Sequence, residues 1–147
     1  MKQENTDIQM RLAAVTEVKF MMLPDKVSDN TDINDIQLGF ANHSIEPDVD
    51  NDTIDLLFGV GFVYKEEVVL ETVYRFSFSV KNLAQFITFN ENNSISISHL
   101  MPYFLSVAVG TIRGILVVKT AGSVFSKMLL PMIDPYQLSD QLSAKNK

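Results

Sequence analysis

From residue 53 to residue 80 the chain alternates apolar and other residues twice over, with one short break. Ile54, Leu56, Phe58, Val60, Phe62 and Tyr64 form the first series; Val68, Leu70, Thr72, Tyr74, Phe76, Phe78 and Val80 form the second. A side-chain period of two puts each series on one face of a strand. Only Lys65-Glu66-Glu67 separates them. The strands must then be antiparallel neighbours, because a parallel return needs a crossover of roughly a dozen residues or more. One face of this sheet is aromatic and branched. The other carries Glu71, Arg75, Ser77 and Ser79, the pattern of an antiparallel sheet covered on one side. Gly59 and Gly61 share that second face, and a pair of strand glycines predicts close approach of another element there.

Two more strands precede this pair. The first spans 8–21, with Met10, Leu12, Ala14, Val18 and Phe20 on one face and Arg11, Glu17 and Lys19 on the other; Pro24 ends it. An acidic connection over 25–35 is long enough to cross a neighbouring strand. The second strand spans 36–45, with Ile36, Leu38 and Phe40 aligned, and Glu46-Pro47-Asp48 through Asp52 reads as a turn.

After Val80 the period changes. Residues 82–89 read as a short irregular or helical piece and 90–96 as a polar run. A long helix is expected over 99–120, capped by Ser98, with Pro102 in its first turn and Gly122 just past its end. Leu105, Val109, Ile112 and Leu116 make one stripe and Phe104, Ala108 and Ile115 the next, while Val117 and Val118 carry apolar surface nearly all round. A helix apolar on every side is buried on more than one side. Ala108, Gly110 and Gly114 would allow a second helix close. An amphipathic piece over 123–130 and a last short helix over 136–142 complete a single domain spanning 1–147, with an ordered core over 8–142. The expected class is α+β: a four-stranded antiparallel sheet with a long helix and a shorter C-terminal helix on one face.

Charge and composition exclude several functions. The net charge is −6, and nine of the 18 acidic residues fall between Asp25 and Asp55 against Lys26 as the only base there. Nucleic acid is a poor partner for such a surface, since phosphate binding needs clustered Lys and Arg. There is no cysteine, which removes disulfides, thiolate-bound zinc and thiol chemistry and fits a cytoplasmic location. Residues 1–9 are polar and do not read as a signal peptide. Residues 100–118 approach the length of a membrane span, but the central Arg113 would cost about 2.5–3.5 kcal/mol on insertion, so stable insertion is not expected.

Catalytic material is sparse. His43 and His99 stand alone, without the neighbours of a metal motif. Asp48, Asp50 and Asp52 alternate, but Thr53 and Gly59 occupy the positions where a calcium loop needs Gly and Glu. Gly59-Val60-Gly61 lies inside a strand and is no dinucleotide fingerprint. Neither catalysis, a metal nor a cofactor is expected. Binding residues are better represented, with seven Met and ten Phe; flexible thioethers and aromatics suit apolar recognition.

In order along the chain, several short motifs resemble the SecB family of protein-export chaperones. Thr16-Glu17-Val18-Lys19-Phe20 followed by Pro24 is similar to that family's first-strand ending. Leu100-Met101-Pro102-Tyr103 resembles the lead-in to its main helix, Arg113-Gly114 a pair near that helix's end, and Leu129-Leu130-Pro131 the approach to its last helix. Departures are a longer stretch over 115–127, a spacing from Pro102 to Arg113 one residue short, and a short tail bearing Lys145 and Lys147. The resemblance implies a homotetramer built as a dimer of dimers. It implies ATP-independent holding of unfolded or precursor polypeptides and, subject to those departures, delivery to the SecA motor. By resemblance, SecA would meet Glu17 and Glu71 on the outer sheet face. Client contact is expected at Met21, Met22, Phe40, Phe86, Tyr103 and Tyr136. Two other readings stay open: an interaction protein dedicated to one partner such as an antitoxin, and a binder of small apolar ligands.

Overall fold

The paired alternations form the central hairpin of the molecule. The computed structural model describes residues 9–91, 95–97, 100–128 and 130–145. β3 (Thr53–Tyr64) and β4 (Glu67–Val80) run antiparallel, with Leu56 opposite Phe76 and Phe58 opposite Tyr74. The turn between them is Lys65 and Glu66, at φ of 50° and 64°. Positive φ at both positions gives the twist that suits a two-residue hairpin, yet a residue with a Cβ adopts it at roughly 1–2 kcal/mol.

β1 (Met10–Met22) and β2 (Gln37–Asp48) flank the hairpin, and the sheet order is β1-β4-β3-β2. Residues 23–36 carry the chain from one edge to the other through two 3-10 turns, Pro24–Lys26 and Ile33–Asp35. This crossover is fastened by the Leu23 N–H donating to the Val69 carbonyl at 2.8 Å and by Val27, which is buried. β2 runs further than expected: Glu46, Pro47 and Asp48 stay in the strand, and the chain turns at Val49–Asn51. An edge strand tolerates Pro47 because its outward side has no partner to lose. The alternating aspartates serve these turns. Asp48 accepts from the Asn51 N–H at 3.3 Å, and Asp52 from the N–H groups of Asn82 and Leu83 at 3.3 and 3.1 Å.

The close approach by another element predicted from the strand glycines is not found at Gly61, whose contacts are with the neighbouring strand. A Cβ at Gly61 would meet the Leu70 carbonyl at 3.6 Å and Val68 at 4.0 Å, both in β4 and both ordinary contacts. Beyond the main sheet, β5 (Ile87–Phe89) and β6 (Ile95–Ile97) pair as a separate ribbon. The short helical piece read over 82–89 is present as the 3-10 turn Leu83–Phe86, and the ribbon takes the place of its end and of the polar run, because three residues are too few for an alternation to register.

α1 (Met101–Lys119) lies on the aromatic face, burying Phe104, Leu105, Ala108, Val109, Ile112 and Leu116. Phe104 stacks on Phe78 with centroids 4.4 Å apart. The expected cap Ser98 and His99 lie outside the described residues, as does Leu129. α1 is the one helix among the described residues long and apolar enough to cross a membrane, and a third of that window is buried in the domain. Its arginine has a local use: Arg113 donates through Nε to the Leu130 carbonyl at 3.2 Å and through Nη2 to the Pro131 carbonyl at 2.7 Å. Those bonds hold the segment leading to α2 (Pro135–Lys145), which packs on α1 and buries Leu138 and Leu142. The amphipathic piece before it is a 3-10 turn, Val124–Lys127, with Phe125 buried.

Two stability changes follow from this packing. Phe104→Ala removes the ring that joins helix to sheet and should lower the unfolding free energy by about 3–5 kcal/mol. Replacing Lys65-Glu66 by Asn-Gly relieves two left-handed residues and should raise it by about 1–2 kcal/mol. Urea unfolding followed by circular dichroism reads both.

Candidate functional site

β1 lies at the sheet edge, and its residues from Arg11 to Lys19 are exposed on both faces. Its ladder with β4 slips by one residue between Leu12 and Ala14 and again between Glu17 and Lys19. Ala13 and Val18 are thus the extra residues of two bulges. Alternation restarts after each one. Counting from their partners on β4, Leu12, Val15, Glu17, Phe20 and Met22 face α1, whereas Arg11, Ala14, Thr16, Lys19 and Met21 face away. The single face expected from Met10 through Phe20 is therefore corrected: Ala14 lies on the opposite side, and Val18 is 52% exposed in a bulge.

The same slips separate two acids expected together. Glu71 is on the outward face, with Lys19 donating to it at 3.1 Å. Glu17 is on the helix face. Its Oε1 accepts from the Tyr74 hydroxyl at 2.9 Å and from Lys119 Nζ at the end of α1, and that ammonium also sits 4.4 Å from the centre of the Phe20 ring. The lysine bond, then the tyrosine bond, hold the Glu17 carboxyl below its ordinary range. Glu17 in turn raises Lys119. Burial, reinforced by the bond to Glu17, raises the Tyr74 phenol.

These three side chains close one part of an open groove of about 620 Å³ between β1 and α1, walled by Val15, Ile115 and Val118. Val117 and Val118 are 49% and 76% exposed. Gly110 and Gly114 belong to this open side, since a Cβ on either would meet nothing within 4 Å. Of the residues read as permitting close packing, only Ala108 is buried.

The expected client residues divide. Tyr103 and Tyr136 are exposed at 48% and 62%. Phe40 stacks on Phe58 at 5.8 Å, and Met22 and Phe86 pack against the core, so these three are largely spent on structure. Met21 is half-buried on the outward face beside Glu71. Sequence reasoning missed Met132, 92% exposed before α2, although its position between Pro131 and Asp134-Pro135 was a signal; Phe89, which clusters in sequence with Phe86, Tyr103 and Phe104 but was not among the expected client residues, is 65% exposed on the ribbon.

Among the described residues no group of three His, Asp or Glu side chains is placed to hold a metal; the His43 side chain and His99 lie outside them. The polar groups at the groove satisfy one another, and the remaining surface offers apolar contact and an unpaired strand edge. No protein-family model matches the chain, and no curated protein matches it.

Ionised Glu17 stabilises the fold through its two donors. That contribution is complete above the unfolded carboxyl value near about 4.3 and fades as pH falls through the lower folded value. Lys119→Met removes the larger cause, so the Glu17 carboxyl should titrate at higher pH than in the parent chain. Carboxyl-detected NMR titration measures it, and an unchanged value would mean the contact is not kept in solution.

Proposed function

We propose that this chain is a cytoplasmic, ATP-independent holding protein of SecB-like form that assembles with copies of itself and covers apolar segments of unfolded polypeptides. The observation carrying this reading is the split of α1: one stripe completes the core, while Val117, Val118 and the β1 edge beside Val118 remain uncovered. Exposed apolar surface of this extent marks an interaction site. The strand order, the crossover after β1 and two helices packed in succession support the SecB-like form. Self-association through β1 and the outer stripe of α1, as the first step to a tetramer, leaves Tyr103, Met132 and Tyr136 for clients. Holding needs no chemistry, which agrees with a groove whose acid, ammonium and phenol are bonded to each other.

Delivery to SecA is the narrower part of the proposal. Glu71 stands on the outward face, as docking there requires, and Glu17 would have to leave Lys119 and Tyr74 to join it. A second reading, a small apolar ligand in the β1–α1 groove, is favoured by that groove's aliphatic walls; native mass spectrometry of the purified chain would show such a ligand retained.

The test is aggregation of an unfolded test protein with and without this chain, with its mass by light scattering on the same preparation. A tetramer that suppresses aggregation is expected. Val118→Asp should reduce the assembled mass, whereas Met132→Ser with Tyr136→Ser should weaken suppression several-fold at unchanged mass. A monomer without holding activity would sink the reading. Suppression confined to one of several unrelated unfolded proteins would point to a dedicated partner instead.

A further inference from the structure

We propose that the outward face of β1 and β4 is a docking surface for an acidic polypeptide segment, which Arg11, Arg75 and Lys81 would hold. This goes beyond the holding reading and depends neither on it nor on self-association. The observation beneath it is where the chain leaves its cations unpaired. Lys19 is bonded to Glu71, Lys26 pairs with Glu67, Lys119 with Glu17, and Arg113 donates to two carbonyls. Arg11, Arg75 and Lys81 are exposed. Among the described residues none of these three has a carboxylate within ion-pair distance. A chain of net charge −6 has acids in excess, yet three cations on one surface meet none of them.

The ladder places them. Arg11 stands opposite Ser79 and Thr16 opposite Arg75, all on the face turned away from α1, with Ala14 and Ser77 paired between them. Lys81 closes the end of that face: its N–H donates to the Gln9 carbonyl at 3.0 Å, and it lines an open hollow of about 550 Å³ together with Arg11 and Ser79. Arg75 and Ser79 are four residues apart on one strand, roughly 13 Å. The face therefore offers two positive positions at that spacing, Arg75 at one and Arg11 with Lys81 at the other. The hydroxyls of Thr16, Ser77 and Ser79 stand among them and can donate to a carboxylate.

The acids nearby border this strip without cancelling it. Asp52 lines the same hollow, but its carboxylate accepts from the N–H groups of Asn82 and Leu83. Glu71 is met by Lys19. Asp55 lies diagonally from Arg75, opposite Ser77, and makes no ion pair with it. These acids decide the class of partner. A nucleic-acid backbone carries charge at every step and would run into Asp55 and Glu71, whereas a polypeptide can place carboxylates only where the cations stand. Residues four apart in an extended segment are separated by the same distance of roughly 13 Å, so the occupant carries Asp or Glu at i and i+4. Complementarity of this kind selects a partner and its register more than it adds raw affinity.

The test titrates the full chain onto a fluorescein-labelled Ser/Gly peptide bearing Glu at every fourth position, read by anisotropy. The same peptide with Gln for Glu, one with its Glu residues adjacent, and a labelled oligothymidylate are run beside it. Binding of the spaced Glu peptide is expected, and added salt should weaken it. Arg75→Glu and Lys81→Glu should each weaken it roughly fivefold or more. Lys127→Glu makes the same change of net charge at an exposed residue of the 3-10 turn after α1 and should change it little. Circular dichroism checks that each variant is folded, and either of the first two suffices. No binding by the folded parent chain overturns the proposal. Equal binding of the Gln peptide overturns recognition by charge, and an equal loss with Lys127→Glu overturns the site in favour of net charge alone. Tighter binding of the oligothymidylate overturns a polypeptide as the occupant. Equal binding of the peptide with adjacent Glu residues overturns the spacing.

Discussion

Phe104 of α1 stacks on Phe78 of β4, and that buried contact seats the long helix on the sheet. β3 and β4 supply a flat run of Ile54, Leu56, Phe58, Phe76 and Phe78 that water must not reach, and a single helix is long enough to cover it. Once the stripe through Leu105, Val109, Ile112 and Leu116 is pressed on the sheet, geometry decides the rest of α1. Val118 follows Leu116 by two residues, about 200° round the helix, so it must point outward. Arg113 stands at the flank of the buried stripe, where its planar fork can reach two carbonyls of the segment before α2. A bidentate donor of this kind fixes direction as well as distance, so the arginine determines where α2 lies.

β1 is held differently from the other strands. It shares a ladder with β4 but buries little of itself; only Met10, Phe20 and Met22 pack against the core from it. What joins its middle to the helix is the set Glu17, Tyr74 and Lys119, an exposed ion pair with one buried hydroxyl. Exposed pairs of this kind stabilise weakly, and their value here is positional: they keep β1 beside α1 and hold the groove open. A strand that contributes little to the core thus presents an edge. The bulge at Ala13 turns Glu17 toward the helix, while Glu71 on β4 stands on the outward face.

Much of the architecture was legible in order along the chain. The β3–β4 hairpin, the crossover after β1 and the buried stripe of α1 rest on periodicities sustained over a dozen residues, and over that length period two and period 3.6 cannot be confused. The ribbon of Ile87–Phe89 and Ile95–Ile97 was not legible, being shorter than the pattern that would reveal it. Pro47 and the acids around it suggested a turn, because nothing local says that a strand is an edge and can tolerate a proline. Tyr103 and Tyr136 were read as available and are exposed; Phe40, of the same chemical type, is stacked on Phe58.

By itself, then, the sequence determined the α+β class, the antiparallel hairpin, the aromatic sheet face and an apolar helix with more surface than one sheet can cover. Those properties are periodic, and periodicity is written in the order of residues. Only the tertiary structure decided which way Glu17 points, that Gly110 and Gly114 stand open instead of packed, and which Met and Phe residues are free. A bulge adds one residue and reverses every side chain after it, and burial depends on what lies across space from a residue, which its neighbours in the chain do not specify.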